Sequence, residues 1–382
     1  MLVGKKAQWE RESAGFSHET SGHLIDGFMK ALPFPLTGAQ TRTINEIYKD
    51  LASGTPMHRL LQGDVGSGKT LVAVATMLAA VQGGHQAAIM APTEVLADQH
   101  ALGIRALLAS LTVSDESNLF GDRTLRIELL TNKVTGEQRR NILAGIADGS
   151  VDIAIGTHAL IQDSVNFKSL GVVVVDEQHR FGVEQRATLV AKAGSDRRPH
   201  VLVMTATPIP RTVAMTAFGA LDISTLSELP AGRSPITTHV VLAAEKPSHL
   251  TRAWERIVEE VAARHQAYVV VPRIASQEDK DLKPGQRQAI ALEDLAPQLT
   301  DGPLASVRVG IMHGQMAGAD KDDVMQRFAR GPAHADGIDV LISTTVIEVG
   351  VDVPNATTMV IMDADRFGIS QLHQLRGRVG RG

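Results

Sequence analysis

The stretch GDVGSGKT has the residue types and the spacing that bind nucleotide phosphates. It fits the phosphate-loop pattern G-x-x-x-x-G-K-[ST] without a mismatch. Glycines let successive main-chain N–H groups turn toward one anion, and the helix that follows directs the positive end of its dipole at the same place. Lys69 is expected to reach the β- and γ-phosphates, and the Thr70 hydroxyl is expected to bind Mg²⁺. The predicted phosphate contacts are Gly63, Asp64, Val65, Gly66, Ser67, Gly68, Lys69 and Thr70.

Two adjacent carboxylates, Asp176 and Glu177, follow the apolar run Val172–Val175. A magnesium nucleotide needs one carboxylate near the metal and a second group that orients or deprotonates water. Adjacent residues at the end of a strand can diverge enough to serve both purposes. An acidic strand cap is the plainer interpretation of such a pair, but a phosphate loop in the same chain favours the catalytic one.

The sequence QLRGRVGRG at positions 374–382 interleaves arginines with glycines. A guanidinium group binds phosphate through two parallel hydrogen bonds, and the glycines allow close approach of the main chain. In a two-domain nucleotide hydrolase, such a run can supply an arginine finger from the second domain. A solvated basic tail is the alternative interpretation.

The pattern of apolar runs predicts a scaffold that would bring these groups together. Short runs rich in valine and isoleucine alternate with helical stretches, and each run ends in a small polar cluster. This alternation is typical of a parallel sheet covered on both faces, where ligands bind beyond the carboxyl ends of the strands. The runs expected as strands are Arg59–Leu61, Ala87–Met90, Asp152–Ile155, Gly171–Val175, Val201–Met204, Ala267–Val271, Arg308–Met312, Val340–Ile342 and Thr358–Met362.

The alternation occurs twice, and 382 residues are many for one core, so we expect two α/β domains. The predicted division is a lead-in segment at 1–31, a first domain at 32–227, a linker at 228–238 and a second domain at 239–382. Prolines and a glycine mark the linker, whose signals extend back to Leu221. Thr37 follows two prolines and is expected to cap a helix.

The composition excludes several other classes of protein. With 43% hydrophobic and 21% charged residues it is ordinary for a globular protein, and no run approaches the roughly 18 apolar residues of a membrane span. The absence of cysteine excludes disulfides and thiolate metal sites, and it fits a reducing cytoplasm. A net charge of −4 requires that any nucleic-acid contact be a local basic groove, and 3% aromatic residues argue against stacking on unpaired bases.

Four motifs together resemble those of superfamily 2 helicases: the phosphate loop, Asp176–His179, Thr205–Pro208 and the arginine run that begins at Gln374. Within that superfamily the chain resembles the RecG family of bacterial ATP-dependent DNA translocases. Transcription-repair coupling translocases share much of the pattern, but Gln178 and the segment Leu36–Gln40 favour the RecG family. The longer stretches that carry this resemblance are VDEQHRFGVEQR, MTATPIPRT, STTVIEVGVDVP, ELPAGRSPITT and QLHQLRGRVGRG.

The resemblance implies a role for each matching residue, with ATP and Mg²⁺ as cofactors. Asp176 would bind Mg²⁺ with Thr70, and Glu177 would activate water. Gln40 would hydrogen-bond to the adenine edge, with Phe34 against the face of the ring. The remaining implied roles are coupling of hydrolysis to domain movement (Gln178, His179, Thr205, Thr207 and Gln374), ribose contact (Gly350 and Asp352), γ-phosphate contact (Arg378 and Arg381) and contact with the DNA backbone (Thr93, Thr157 and Thr344).

The resemblance also implies a fold and a function. The fold would be α/β, with two tandem RecA-like P-loop NTPase domains, each a parallel sheet covered by helices. The function would be ATP-driven movement on duplex DNA that remodels stalled forks and Holliday junctions in DNA repair and recombination. The protein would act on DNA as a monomer in the bacterial cytoplasm, at the nucleoid and away from any membrane.

Two departures from the RecG pattern lead us to expect a fragment. RecG proteins carry a wedge domain before the motor and further elements after the arginine motif, and neither is matched here. We therefore expect a second domain that is incomplete at its C-terminus, arginines on a mobile tail, weak ATPase activity and no unwinding of junctions. A nucleotide- and DNA-binding fragment without turnover is the alternative. A small-molecule P-loop kinase is disfavoured because it leaves the second domain and the arginine run unexplained.

Overall fold

The computed structural model describes residues 14–113, 121–176, 188–192, 197–206, 221–228, 236–275, 289–344 and 353–380. The chain divides into two compact units, Met1–Pro230 and Ala231–Gly382, and each contains its own parallel sheet covered by helices. The expected α/β fold with two such domains is therefore confirmed. Within these ranges no helix is both long enough and apolar enough to cross a membrane.

The first unit is built on a parallel sheet of seven strands. The strands of this unit are β1 (His58–Gly63), β2 (Gln86–Met90), β3 (Thr112–Val113), β4 (Arg123–Thr124), β5 (Ile127–Leu130), β6 (Ile153–Gly156), β7 (Leu170–Val175), β8 (His200–Thr205) and β9 (Asp222–Leu226). β3 and β4 form a separate antiparallel pair. The other seven are arranged in the order β5-β6-β2-β7-β8-β1-β9. Their carboxyl ends therefore meet at one edge.

Helices cover both faces of this sheet. They are α1 (His23–Ala31), α2 (Gly38–Ala52), α3 (Lys69–Gln82), α4 (Glu94–Leu108) and α5 (Gly136–Asp148), with a short 3₁₀ turn at His158–Ile161. α3 is apolar on all sides, and Leu71–Val81 are all buried, because α1 and α2 pack over its outer surface. α1 contributes Leu24, Ile25 and Phe28 to this core. Part of the segment predicted as a lead-in thus packs on the helix that follows the phosphate loop.

The second unit is a smaller version of the same arrangement. Its strands are β10 (Gln266–Val270), β11 (Val309–Met312), β12 (Val340–Ser343) and β13 (Ala356–Ile361), and its helices are α6 (Pro247–Ala262), α7 (Leu292–Thr300), α8 (Gly318–Arg330) and α9 (Ile369–Arg376). The strands are parallel in the order β11-β12-β10-β13. One face carries a core around Trp254 and Ile257, and the other a core around Tyr268 and Phe328.

All nine apolar runs expected as strands are strands, with ends that differ by at most two residues. The linker signals at Leu221–Pro235 were partly misleading, because Asp222–Leu226 form β9, which pairs with β1 at the edge of the sheet. Its sequence DISTL buries only Ser224 and Leu226, so it lacks the continuous apolar run of a central strand. The expected domain boundaries themselves remain predictions.

Candidate nucleotide-binding site

The phosphate loop connects β1 to α3, in the strand–loop–helix order that its sequence predicts. Gly68 has a φ of 86°, in the left-handed region, and a Cβ there would collide with the side-chain amide of Gln40. A Cβ on Gly63 would come within 2.6 Å of Ser67 Oγ. Neither position has room for a Cβ, and Gly68 also has a backbone conformation that favours glycine.

The ammonium group of Lys69 lies against its own loop. It donates hydrogen bonds to the carbonyl oxygens of Gly63 at 2.7 Å and of Asp64 at 2.9 Å. Lys69 is also the first residue of α3, where the helix dipole is positive. Ser67 is fully buried, and its hydroxyl has no hydrogen-bond partner within the described part of the protein. A cation, an unsatisfied hydroxyl and a helix N-terminus together suit a ligand with several anionic oxygens, such as a nucleotide phosphate.

Gln40 joins the phosphate loop to the segment before α2. Thr37 caps α2 as predicted, and its main-chain N–H donates to Gln40 Oε1 at 2.9 Å, so the two residues form a capping box. Gln40 Nε2 donates to the carbonyl oxygen of Ser67 at 2.9 Å. The Gln40 side chain is buried, whereas Phe34 is 47% exposed. The adenine contact of Gln40 remains a prediction. Adenine would share the Gln40 side-chain amide with Thr37 and Ser67, to which that amide is already hydrogen-bonded.

Polar residues that follow four strands lie along the carboxyl edge of the first sheet, as expected. Thr93 follows β2, Thr157 follows β6, Asp176 follows β7, and Thr205 ends β8. Thr157 and Thr205 are each 1% exposed, so their hydroxyls face the protein interior. Thr93 is half-buried, and its hydroxyl accepts a hydrogen bond from the main-chain N–H of Leu96, which caps α4. The DNA contacts of Thr93 and Thr157 remain predictions, and Thr157 would need its main chain or a local movement to reach a phosphate.

The Asp176 carboxylate has a partner that sequence reasoning missed. His100 Nε2 lies 2.7 Å from Asp176 Oδ2, and both residues are 8% exposed. The main-chain N–H of Asp176 donates to the carbonyl oxygen of Met90, the last residue of β2, at 2.9 Å. The available signal was helical spacing, since His100 lies on the same stripe of α4 as the buried Ala97 and Ile104.

The predicted residues of the second unit fall at its own strand ends and in α9. Thr344 follows β12 and is 6% exposed. Gln374 lies in α9 and is buried, while Arg378 is half-buried just beyond the helix. The expectation of a mobile tail is wrong for Arg378, because Leu375 and Val379 on either side of it are buried in the core of the unit.

Several predicted site residues lie outside the described residues, and their roles remain predictions. They are Glu177, Gln178, His179, Thr207, Gly350, Asp352 and Arg381. Within the described ranges, no group of three or more acidic or histidine side chains is placed to hold a metal. Nucleotide-bound Mg²⁺ takes most of its ligands from water and phosphate, so a site with Thr70 and Asp176 is consistent with this geometry.

Two sequence families match successive parts of the chain. The DEAD/DEAH box helicase family matches residues 37–216, and the helicase conserved C-terminal domain matches residues 252–382. Solved RNA-bound Dbp5 from S. cerevisiae is 16% identical with a TM-score of 0.61, a likeness that concerns the fold alone. Both units are thus RecA-like helicase domains.

Closer relatives share one description. The chain is 51% identical over 381 residues to the ATP-dependent DNA helicase RecG of Mycobacterium tuberculosis (strain H37Rv), and 47% identical over 382 residues to that of Bacillus subtilis (strain 168). In both cases the match covers 100% of this chain and 51% of the relative, so the chain spans about half the length of the relatives it matches. A solved structure of RecG bound to a three-way DNA junction is 39% identical with a TM-score of 0.77, covering 100% of this chain and 46% of that one. The chain belongs to the RecG family of helicases.

Proposed function

We propose that this chain forms the motor of an ATP-dependent DNA translocase that remodels branched DNA, such as stalled forks and Holliday junctions, in repair and recombination. The observation that carries the proposal is the position of Lys69, whose ammonium lies 2.7 Å and 2.9 Å from two carbonyls of its loop at the start of α3. A phosphate entering the loop would take over this ammonium, together with the buried hydroxyl of Ser67. The relative solved on a three-way DNA junction supports branched DNA as the substrate.

The proposed hydrolysis reaction uses groups at the carboxyl edge of the first sheet. Lys69 binds the phosphates, and Glu177 orients and deprotonates the attacking water. Thr70 and Asp176 would hold Mg²⁺, which would neutralise charge on the phosphate oxygens. Arg378 and Arg381 are proposed to contact the γ-phosphate. Residues proposed to couple hydrolysis to domain movement are Gln178, His179, Thr205, Thr207 and Gln374.

The proposed contacts with DNA are mainly to its backbone, through Thr93, Thr157 and Thr344. Because phosphates carry no sequence information, we expect binding that is nearly independent of sequence and weakens as salt rises. Titrations of unrelated duplexes of equal length, at two salt concentrations, test this expectation. A strong preference for one sequence would contradict it.

The function is tested by measuring ATP hydrolysis by this chain with and without forked DNA. We expect hydrolysis that DNA stimulates and that Lys69→Ala abolishes. Lys192→Ala is the matched control, because the Lys192 ammonium also donates to a main-chain carbonyl in the first unit, that of Val165 at 3.1 Å. Nucleotide and DNA binding without hydrolysis would favour a binding module instead of a motor. Hydrolysis that survives Lys69→Ala would refute the proposed site.

A further inference from the structure

His100 and Asp176 form a buried hydrogen bond that no step of the proposed reaction uses. His100 Nε2 lies 2.7 Å from Asp176 Oδ2, and their side chains are 9% and 11% exposed. An ionised carboxylate only accepts hydrogen bonds, so His100 Nε2 carries the proton and donates the hydrogen bond to Asp176. The carboxylate offers about four acceptor sites, so this bond does not prevent it from binding a cation as well.

The fold does not need a carboxylate at this position. In the second unit, Met362 follows β13 as Asp176 follows β7, and its N–H donates to the carbonyl oxygen of Val270 at 2.9 Å. The corresponding bond from Asp176 to Met90 has the same length. Met362 is buried and contributes an apolar side chain to its core. Since burying a carboxylate is costly and a methionine serves the same place in the scaffold, the His100–Asp176 pair calls for a reason other than folding.

α4 links this bond to the predicted DNA contact. Thr93 caps the helix, and His100 comes seven residues later, about two helical turns along the same face. The main chain of Asp176 is bonded to Met90, three residues before Thr93, and its side chain is bonded to His100. The segment that runs from β2 into α4 therefore hydrogen-bonds to both the main chain and the carboxylate of Asp176.

We propose that His100 is a positioning residue that orients the Asp176 carboxylate toward nucleotide-bound Mg²⁺, and that through it α4 ties the magnesium site to the helix end at Thr93. The inference rests on the proposed function, since it takes Asp176 as the magnesium carboxylate. Hydrogen-bond partners of metal-ligating carboxylates fix their orientation, and their loss typically weakens metal affinity by about 10- to 100-fold.

The test is the Mg²⁺ concentration at which the chain half-maximally binds a non-hydrolysable ATP analogue, measured by calorimetry. We expect His100→Leu to raise this midpoint by about tenfold or more while leaving analogue affinity without Mg²⁺ nearly unchanged. His100→Gln keeps an N–H donor and should restore much of the parental midpoint. A purely structural histidine would lower thermal stability in His100→Leu without moving the midpoint.

The matched control is His85→Leu, because His85 bonds Ser169 Oγ at 2.8 Å just before β2 begins, away from the carboxyl edge. It should leave the Mg²⁺ midpoint at the parental value. A parental midpoint in both His100→Leu and His100→Gln would overturn this inference alone. If His100→Leu does not fold, His100→Ala, which also lacks the N–H donor, takes its place, and a parental midpoint in that variant would overturn the inference. A parent that binds no analogue would overturn the proposed function as well.

Discussion

Each unit contains four parallel strands in the same order, and equivalent polar contacts stabilise them. The two units differ in the residues at the carboxyl ends of those strands. β5-β6-β2-β7 in the first unit and β11-β12-β10-β13 in the second occupy the same order. β2 begins with Gln86 and β10 with Gln266, and both glutamines are buried. The Nε2 group of each donates to two main-chain carbonyls, one in a helix of its unit and one just before the neighbouring strand. A buried glutamine therefore connects the same strand to the same neighbouring elements in both units.

A buried aspartate is repeated in the same way. Asp152 accepts hydrogen bonds from the main-chain N–H of Arg126 at 2.7 Å and from the guanidinium group of Arg123. Asp339 accepts both kinds of bond from one residue, Arg308. Burial alone would raise the pKa of Asp339, but the Arg308 hydrogen bonds outweigh it and hold the pKa below its usual value.

The loop and the side chain that differ are the ones predicted to bind a magnesium nucleotide. The first sheet continues through β8 to β1, which leads into the phosphate loop, and the described residues of the second unit contain no such loop. The position after β7 is Asp176, whereas the position after β13 is Met362. Buried glutamine and aspartate contacts thus maintain one scaffold in both units, while the phosphate loop and the carboxylate proposed for nucleotide binding occur only at the edge of the first sheet among the described residues.

The largest effect should come from removing the proposed base, which belongs to the first unit only. Glu177→Gln keeps the shape of the side chain but cannot accept a proton, so we expect ATP hydrolysis to fall by about 10²-fold or more with nucleotide binding retained. The control is Asp363→Asn, at the matching place after Met362, where the side chain accepts a hydrogen bond from the main-chain N–H of Ile290. Comparable loss in both variants, in steady-state ATPase assays, would break the distinction between the units.

The next effect tests whether the repeated aspartate contacts are equivalent. Arg123→Met leaves Asp152 without its guanidinium partner, and Arg308→Met does the same to Asp339. Because each carboxylate is buried, we expect each change to lower the free energy of unfolding of its own unit by roughly 3 kcal/mol. Denaturant unfolding monitored separately for the two units would measure this. A loss in only one unit would show that the two contacts are not equivalent.

A smaller effect should follow from a histidine cluster found in the first unit. Burial lowers the pKa of His18 to about 3 and that of His200 to about 4, and their rings lie 5.1 Å apart. A lowered folded-state pKa means that stability is full above the unfolded value of about 6.5 and declines as pH falls from there toward 4. Among the described residues of the second unit, no histidine is buried to this extent.

Thermal unfolding between pH 7 and pH 4 checks this expectation. We predict a midpoint that falls with pH in the parent and falls less steeply in His18→Leu, which removes one group that must be protonated on unfolding. A parental slope in His18→Leu would contradict the prediction.

The sequence was a good guide wherever a residue's local pattern determined its structure. The apolar runs predicted both sheets, and the helix cap at Thr37 was foreseen from its prolines and polar residues. β9 was missed because an edge strand with one solvated side reads like a loop. His100 was missed because its partner is 76 positions away, and only the pairing of β2 with β7 brings the two together.

The central claim is that the phosphate loop of the first unit is the single nucleotide-binding site of this chain, and calorimetric titration of this chain with ADP and Mg²⁺ tests it most directly. We predict one nucleotide per chain, with affinity reduced about 10- to 100-fold by Lys69→Ala, since a charged hydrogen bond contributes roughly 1.5–3 kcal/mol. Lys321→Ala should have no effect, although the Lys321 ammonium in the second unit likewise donates to a glycine carbonyl, that of Gly314 at 2.7 Å. Two nucleotides per chain, or unchanged affinity in Lys69→Ala, would contradict the account.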